Sequence, residues 1–98
     1  MVISRFEVWL VELDPTPCVV ISPDEINHAN WTLIVAPLSS KIKNLPTRIR
    51  VELDGKEGQI LLDQIRSIDP KRCIKKLGKI NFQIGREVLG QLRDMFSV

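Results

Sequence analysis

The 98-residue sequence lacks the features that mark membrane-spanning, secreted and metal-dependent proteins. No apolar run approaches the roughly 20 residues that a helix needs to cross a bilayer, and the N-terminus lacks the charged and apolar regions of a signal peptide. Cys18 and Cys73 have no metal-ligand spacing, and the single histidine, His28, has no Cys or His partner at such spacing. We therefore expect a cytoplasmic protein with reduced core thiols, an ordinary surface or turn histidine, and no metal or other cofactor.

Glycine loops that bind phosphate and the turn that presents a nucleophilic serine are also missing. The chain has instead two cationic segments without an acidic residue, 41–50 and 71–79, although the net charge is only +2. Such segments are typical of a surface that binds a polyanion. The alternative is that they are solvated loops and strand edges kept soluble by lysine.

The hydrophobic pattern predicts one domain of many short strands followed by one helix. The predicted strands cover residues 5–13, 18–22, 31–38, 47–53 and the segment from Gly58 onward, and residues 72–80 are a short last strand or an irregular crossing. Asn81 is a suitable N-cap, and apolar residues then recur at helical spacing: Ile84, Val88, Leu92, Met95 and Phe96. This order predicts an α+β, mostly β fold, in which a small antiparallel barrel packs against a C-terminal helix.

Residues 5–13 are apolar on both faces, with Phe6 and Val8 on one side and Trp9 and Val11 on the other. One helix covers only one side of a small barrel, so the surplus apolar surface predicts a homodimer. Trp9 and Trp31 lie in apolar segments, where core packing is expected; the alternative is stacking on a base.

Polar residues interrupt the apolar run within residues 58–69. Asp63 and Gln64 end the predicted strand, and Arg66 follows. Such groups are either held rigidly to face a ligand or form a hydrogen-bonded turn. Hydroxyls at Ser39, Ser40 and Thr47 lie beside the first cationic segment, where they suit phosphate oxygens.

Several short sequence segments, in their order and spacing, resemble the MazF/PemK family of toxin endoribonucleases over nearly the whole chain. The matching segments are Glu-Val-Trp-Leu-Val-Glu-Leu-Asp-Pro-Thr (7–16), Pro-Cys-Val-Val-Ile-Ser-Pro (17–23), Asn27, Ala-Pro-Leu-Ser-Ser (36–40), Leu-Pro-Thr (45–47), Arg-Val-Glu-Leu (50–53), Asp-Gln-Ile-Arg-Ser-Ile-Asp (63–69) and the closing helix. The resemblance implies an SH3-like barrel with a C-terminal helix, and a homodimer. It also implies a cytoplasmic toxin that cuts single-stranded RNA at specific sequences without metal and is neutralised by an antitoxin with an acidic C-terminal tail.

The resemblance also implies the site. Thr47 and Asp63 match catalytic positions: Thr47 would contact the scissile phosphate, and Asp63 would act as a base, orient the phosphate, or only recognise a base edge. The RNA-binding residues would be Ser39, Ser40, Lys41, Lys43, Arg48, Gln64 and Arg66. The expected products are a 2′,3′-cyclic phosphate and a 5′-hydroxyl.

The sequence departs from the family in one place. The resemblance implies a loop that ends in an arginine directly before Pro17, but here Asp14-Pro15-Thr16 joins Pro17 directly. Either the loop is deleted, which should cripple catalysis, or a mobile loop is missing from the sequence, which we favour. The alternative functions are a CcdB-like toxin that poisons DNA gyrase without catalysis and, if the loop is deleted, an inactive module that binds RNA or a partner.

Overall fold

A computed structural model describes residues 2–12 and 15–97 of the chain. Within these residues the elements are β1 (Glu7–Val11), β2 (Thr16–Val20), α1 (Asp24–Asn27), β3 (Leu33–Ser39), β4 (Arg48–Leu53), β5 (Lys56–Leu61), β6 (Arg66–Ile68), β7 (Cys73–Lys79) and α2 (Phe82–Met95). Single 3-10 turns at Leu62–Gln64 and Pro70–Arg72 precede β6 and β7. None of these helices is both long and apolar enough to cross a membrane.

The strands form one curled antiparallel sheet in the order β4-β5-β3-β2-β1-β7. The long strand β3 is shared between two partners on the same edge: Leu38 and Ser39 pair with β5, and Leu33 to Val35 pair with β6. The chain therefore leaves the sheet between β5 and β6, and the 3-10 turn Leu62–Gln64 fills that gap. The predicted mostly β barrel with a C-terminal helix is confirmed.

Both faces of β1 are buried within a single chain. Val8 is fully buried in a core that also includes Val88 of α2. Trp9 and Val11 point to a second core, which β3, β6 and β7 help to enclose. The argument that β1 needs a second subunit was wrong, because this fold covers both faces itself; the homodimer stays a prediction.

The predicted start of the helix is confirmed, since Asn81 Oδ1 accepts a hydrogen bond from the Ile84 backbone N–H at 2.8 Å. A Cβ on Gly85 would lie 2.6 Å from the Phe6 ring, so the glycine allows α2 to approach the sheet closely. Phe96 was predicted on the apolar face, but it lies beyond the helix end and is 70% exposed.

The two tryptophans have opposite environments. Trp9 is buried as expected, and its indole N–H donates to Glu7 Oε1 at 3.1 Å. Trp31 is 85% exposed, because β3 begins only at Leu33, after a turn in which Asn30 adopts a positive φ of 61°. The expectation of core packing was therefore wrong for Trp31.

The cysteines are free and buried, as expected. Cys18 lies opposite Trp9 on one side of β1, and Cys73 lies opposite Val11 on the other side. Two strand spacings of about 4.8 Å therefore separate their backbones, which is too far for a disulfide without backbone movement. Burial raises the pKa of Cys18 to about 11, so this thiol is not a nucleophile at neutral pH.

Candidate functional site

Asp63 is held at the centre of a hydrogen-bonded cluster with Thr47 and Arg48. Antiparallel pairing places Arg48 opposite Leu61, and the Leu62 N–H donates to the Thr47 carbonyl at 3.0 Å. The following 3-10 turn then places Asp63 beside the start of β4. Arg48 donates from Nε to Oδ1 at 3.2 Å and from Nη2 to Oδ2 at 3.1 Å, and the Thr47 hydroxyl donates to Oδ1 at 3.3 Å.

This cluster keeps Asp63 ionised. The Arg48 guanidinium lowers the pKa of Asp63 below its ordinary value, and the Thr47 hydroxyl contributes in the same direction. A carboxylate with a lowered pKa is a weak base near neutral pH, so the arrangement favours the orienting role of Asp63 over the role of a base. Arg48 was predicted to bind RNA, but its side chain is only 9% exposed and is committed to Asp63.

The buried side-chain amide of Gln59 holds the loop that precedes β4 in place. Gln59 is 2% exposed; its Nε2 donates to the Lys43 carbonyl at 2.8 Å, and the Lys43 N–H donates to its Oε1 at 3.0 Å. This amide clamp fixes the backbone that carries the exposed side chains of Lys41 and Lys43. Sequence reasoning missed Gln59, although a lone amide within the apolar run Gly-Gln-Ile-Leu-Leu was a signal that its side chain has a buried partner.

An open groove of about 620 Å³ is lined by Gln64 of the 3-10 turn but not by Asp63. Most of its lining is apolar, and Thr16, Gln64 and Arg66 are its polar residues; the others are Val11, Cys18, Val35, Pro37, Leu38, Leu61 and Ile68. Successive residues of a 3-10 turn point about 120° apart. Asp63 can therefore face β4 while its neighbour Gln64 faces the groove.

Gln64 and Arg66 are the groove residues with uncommitted polar groups. Both are exposed, and neither side chain makes a hydrogen bond or ion pair with any residue in the described part of the chain. In contrast, Arg48 is bound to Asp63, and Arg50 donates to Glu57 at 3.0 Å. Five of the predicted site residues therefore divide between a preformed cluster, formed by Thr47, Arg48 and Asp63, and an adjacent groove in which Gln64 and Arg66 are open to a ligand.

Ser39 and Ser40 do not share this groove. They line a separate depression with Lys56, Glu57 and Gly58, on the side of β3 where β5 pairs. Gly58 is required there, because a Cβ would lie 2.9 Å from the Ser39 carbonyl oxygen. The structure therefore does not bring the two serines together with Gln64 and Arg66.

The connection between β1 and β2 is short. β2 runs through Thr16 and Pro17 without a break, and these residues pair with Val11 and Leu10 of β1. Pro17 is tolerated because β2 pairs with β3 only from Cys18 onward. The additional loop and its arginine therefore have no counterpart in this chain, and the favoured interpretation, that a mobile loop is missing from the sequence, was wrong. Leu13 and Asp14 lie outside the described residues.

Comparison with known proteins gives a consistent result. A family model described as PemK-like, MazF-like toxin of type II toxin-antitoxin system matches residues 4–96. Endoribonuclease PemK of Escherichia coli is 34% identical over 109 aligned positions, which cover 96% of this chain and 82% of the relative. Since 96% of 98 residues is about 94, roughly fifteen aligned positions have no residue of this chain.

Solved structures share the fold. A MazE-MazF structure from Deinococcus radiodurans superimposes with a TM-score of 0.88 at 23% identity, covering 100% of this chain and 99% of the other. An endoribonuclease in complex with its cognate antitoxin, from a Mycobacterial species, gives a TM-score of 0.86 at 16% identity, covering 94% and 92%. At these identities the superpositions establish the architecture.

Proposed function

This chain belongs to the PemK-like, MazF-like family of toxins of type II toxin-antitoxin systems, and we propose that its 3-10 turn and adjoining groove bind single-stranded RNA for cleavage. The chain is an endoribonuclease toxin with a cognate antitoxin. The observation that carries the placement of the site is the Thr47–Arg48–Asp63 cluster, a preorganised polar group beside an open groove.

The proposed reaction is an internal transesterification without metal. The ribose 2′-oxygen forms a bond to phosphorus, and the bond from phosphorus to the 5′-oxygen breaks, which leaves a 2′,3′-cyclic phosphate and a 5′-hydroxyl. The proton lost by the 2′-hydroxyl balances the proton gained by the 5′-oxygen, and no water is consumed. Because Thr47 donates its one hydroxyl hydrogen to Asp63, it cannot in this arrangement donate to the scissile phosphate, the contact that the resemblance implied. Its lone pairs are free to accept from the 2′-hydroxyl and orient it.

The exposed lysines would guide the RNA backbone and attract the acidic C-terminal tail of an antitoxin; they include Lys41, Lys43, Lys71 and Lys75. One solved structure with the same fold is an endoribonuclease in complex with its cognate antitoxin. We also propose a homodimer and a cytoplasmic location. The family match favours the endoribonuclease over the gyrase-poisoning alternative.

The test is cleavage of a defined single-stranded RNA by the purified protein in the presence of a chelator, with end-group analysis of the products. We expect cyclic-phosphate ends and a Thr47→Val variant slowed by at least tenfold, with Thr47→Ser retaining most activity because it keeps the hydroxyl. Gyrase inhibition without RNA cleavage would contradict the proposed function. A Thr47→Val variant as fast as the wild type would remove Thr47 from the site.

A further inference from the structure

Arg66 combines an uncommitted cationic group with a place in the groove that Gln64 also lines. β6 holds its backbone by antiparallel pairing, with Arg66 opposite Val35 of β3. Its side chain is exposed, lines the groove, and makes no hydrogen bond or ion pair within the described residues. An arginine that is fixed at its backbone and uncommitted at its guanidinium is well placed to bind an anion.

Three other arginines are already committed to partners within the fold. Arg48 gives two hydrogen bonds to Asp63, and Arg50 is paired with Glu57 on the surface. Arg5 is used structurally, because its Nε donates to the Ile21 carbonyl at 3.0 Å. The short connection between β1 and β2 supplies no arginine before Pro17.

We propose that Arg66 binds an RNA phosphate in the groove, taking the task that would otherwise require an arginine on the connection between β1 and β2. The inference rests on the proposed function and names the residue that supplies its phosphate contact. A guanidinium presents a rigid fork of donors that can hold two phosphate oxygens. Held there, it stabilises the negative charge that grows on the phosphate during cleavage.

The remainder of the groove suits one nucleotide. Its apolar walls, among them Val35, Leu38 and Ile68, offer contact to a base, and the uncommitted amide of Gln64 offers both a donor and an acceptor to a base edge. Gln64 follows Asp63 directly and precedes Arg66 by two residues, so the groove adjoins the Thr47–Arg48–Asp63 cluster. One RNA segment can therefore contact both.

Cleavage kinetics test the catalytic part of this assignment. We expect Arg66→Gln to lower kcat by about 100- to 1,000-fold, the usual loss when one preorganised donor to a developing anion is removed. Arg66→Lys should recover only part, since an ammonium keeps the charge but not the fork. Arg86→Gln is the matched control, because Arg86 is exposed on α2 and does not line the groove. Added methylguanidinium should partly rescue an Arg66→Ala variant and leave Arg86→Gln unaffected.

Binding of a 2′-O-methyl RNA, which cannot be cleaved, tests the phosphate contact independently of catalysis. Losing one phosphate contact should lower the slope of log affinity against log salt by about 0.7 in Arg66→Gln, with no change in Arg86→Gln. If the wild type binds RNA but does not cleave it, the proposed function fails. The difference in salt dependence between the wild type and Arg66→Gln still shows whether Arg66 contacts a phosphate. If the wild type cuts and Arg66→Gln matches it in kcat and in salt slope, the assignment of Arg66 is overturned. Since the Arg66 side chain makes no hydrogen bond or ion pair with residues 2–12 and 15–97, equal thermal midpoints are expected and would exclude misfolding as the cause.

Discussion

Replacing Gln59 by leucine should free the cationic loop while leaving the fold intact. The side chain is 2% exposed, and leucine has a similar volume, so the buried site stays filled without a stranded amide. The change removes two hydrogen bonds to the Lys43 backbone, at 2.8 and 3.0 Å. Each neutral hydrogen bond contributes about 0.5–1.5 kcal/mol net. Together they correspond to roughly a 5- to 150-fold change in a local opening equilibrium.

Amide hydrogen exchange measures this loss directly. The Lys43 N–H donates to Gln59 Oε1, so its exchange rate reports on the amide clamp. We expect that amide to exchange about 5- to 150-fold faster in Gln59→Leu, with the amides of the paired strands unchanged. Gln83→Leu is the matched control, since Gln83 is exposed on α2. An unchanged Lys43 amide would refute the clamp, and a global loss of protection would refute the claim that the effect is local.

Two further predictions concern the cores and the surface. Burial alone would raise the pKa of Glu7, but hydrogen bonds from the Ser4 N–H, Lys76 and Trp9 lower it below its ordinary 4.5. The stabilisation from ionised Glu7 is therefore full above about pH 4.5 and is lost as the pH falls through the folded-state pKa. In denaturant titrations at a series of pH values, Glu7→Gln should reduce the loss of unfolding free energy below that pH. An unchanged loss would contradict this role of Glu7. Trp31→Ser should change the free energy of unfolding by no more than about 0.5 kcal/mol, because the side chain is 85% exposed. The remaining fluorescence should shift to shorter wavelength, since it comes from buried Trp9, and a large loss of stability would count against the exposed placement.

The periodic elements were predictable because each is encoded locally. The N-cap at Asn81 and the strand at residues 47–53 need only neighbouring residues to be read, and both are confirmed. The side-chain partner of Arg48 was not predicted, because it lies far away in the sequence. The Arg48 guanidinium binds Asp63, fifteen residues later in the chain, and that partner depends on the register of the β4–β5 hairpin.

The misjudged cover of β1 has a similar cause. A strand that is apolar on both faces shows that both faces are buried, but not by what. The covering elements are α2 on one side and the β6–β7 region on the other, and β6 has only three residues, too few for a periodic signal. The groove was equally hidden, since it joins residues from β1, β2, β3 and β6 that are far apart in the sequence.

Placing the phosphate-binding cation on a strand instead of a loop has a thermodynamic consequence. Arg66 lies in β6, whose backbone is fixed by pairing with β3 before any ligand arrives. A loop that orders on binding loses roughly 1–2 kcal/mol of backbone conformational entropy per residue, whereas Arg66 loses mainly the rotamer freedom of one side chain. This chain should therefore bind RNA with little ordering of its backbone. Calorimetry with the 2′-O-methyl RNA should then show a heat-capacity change no larger than burial of the groove surface requires, and a much larger negative value would indicate coupled folding.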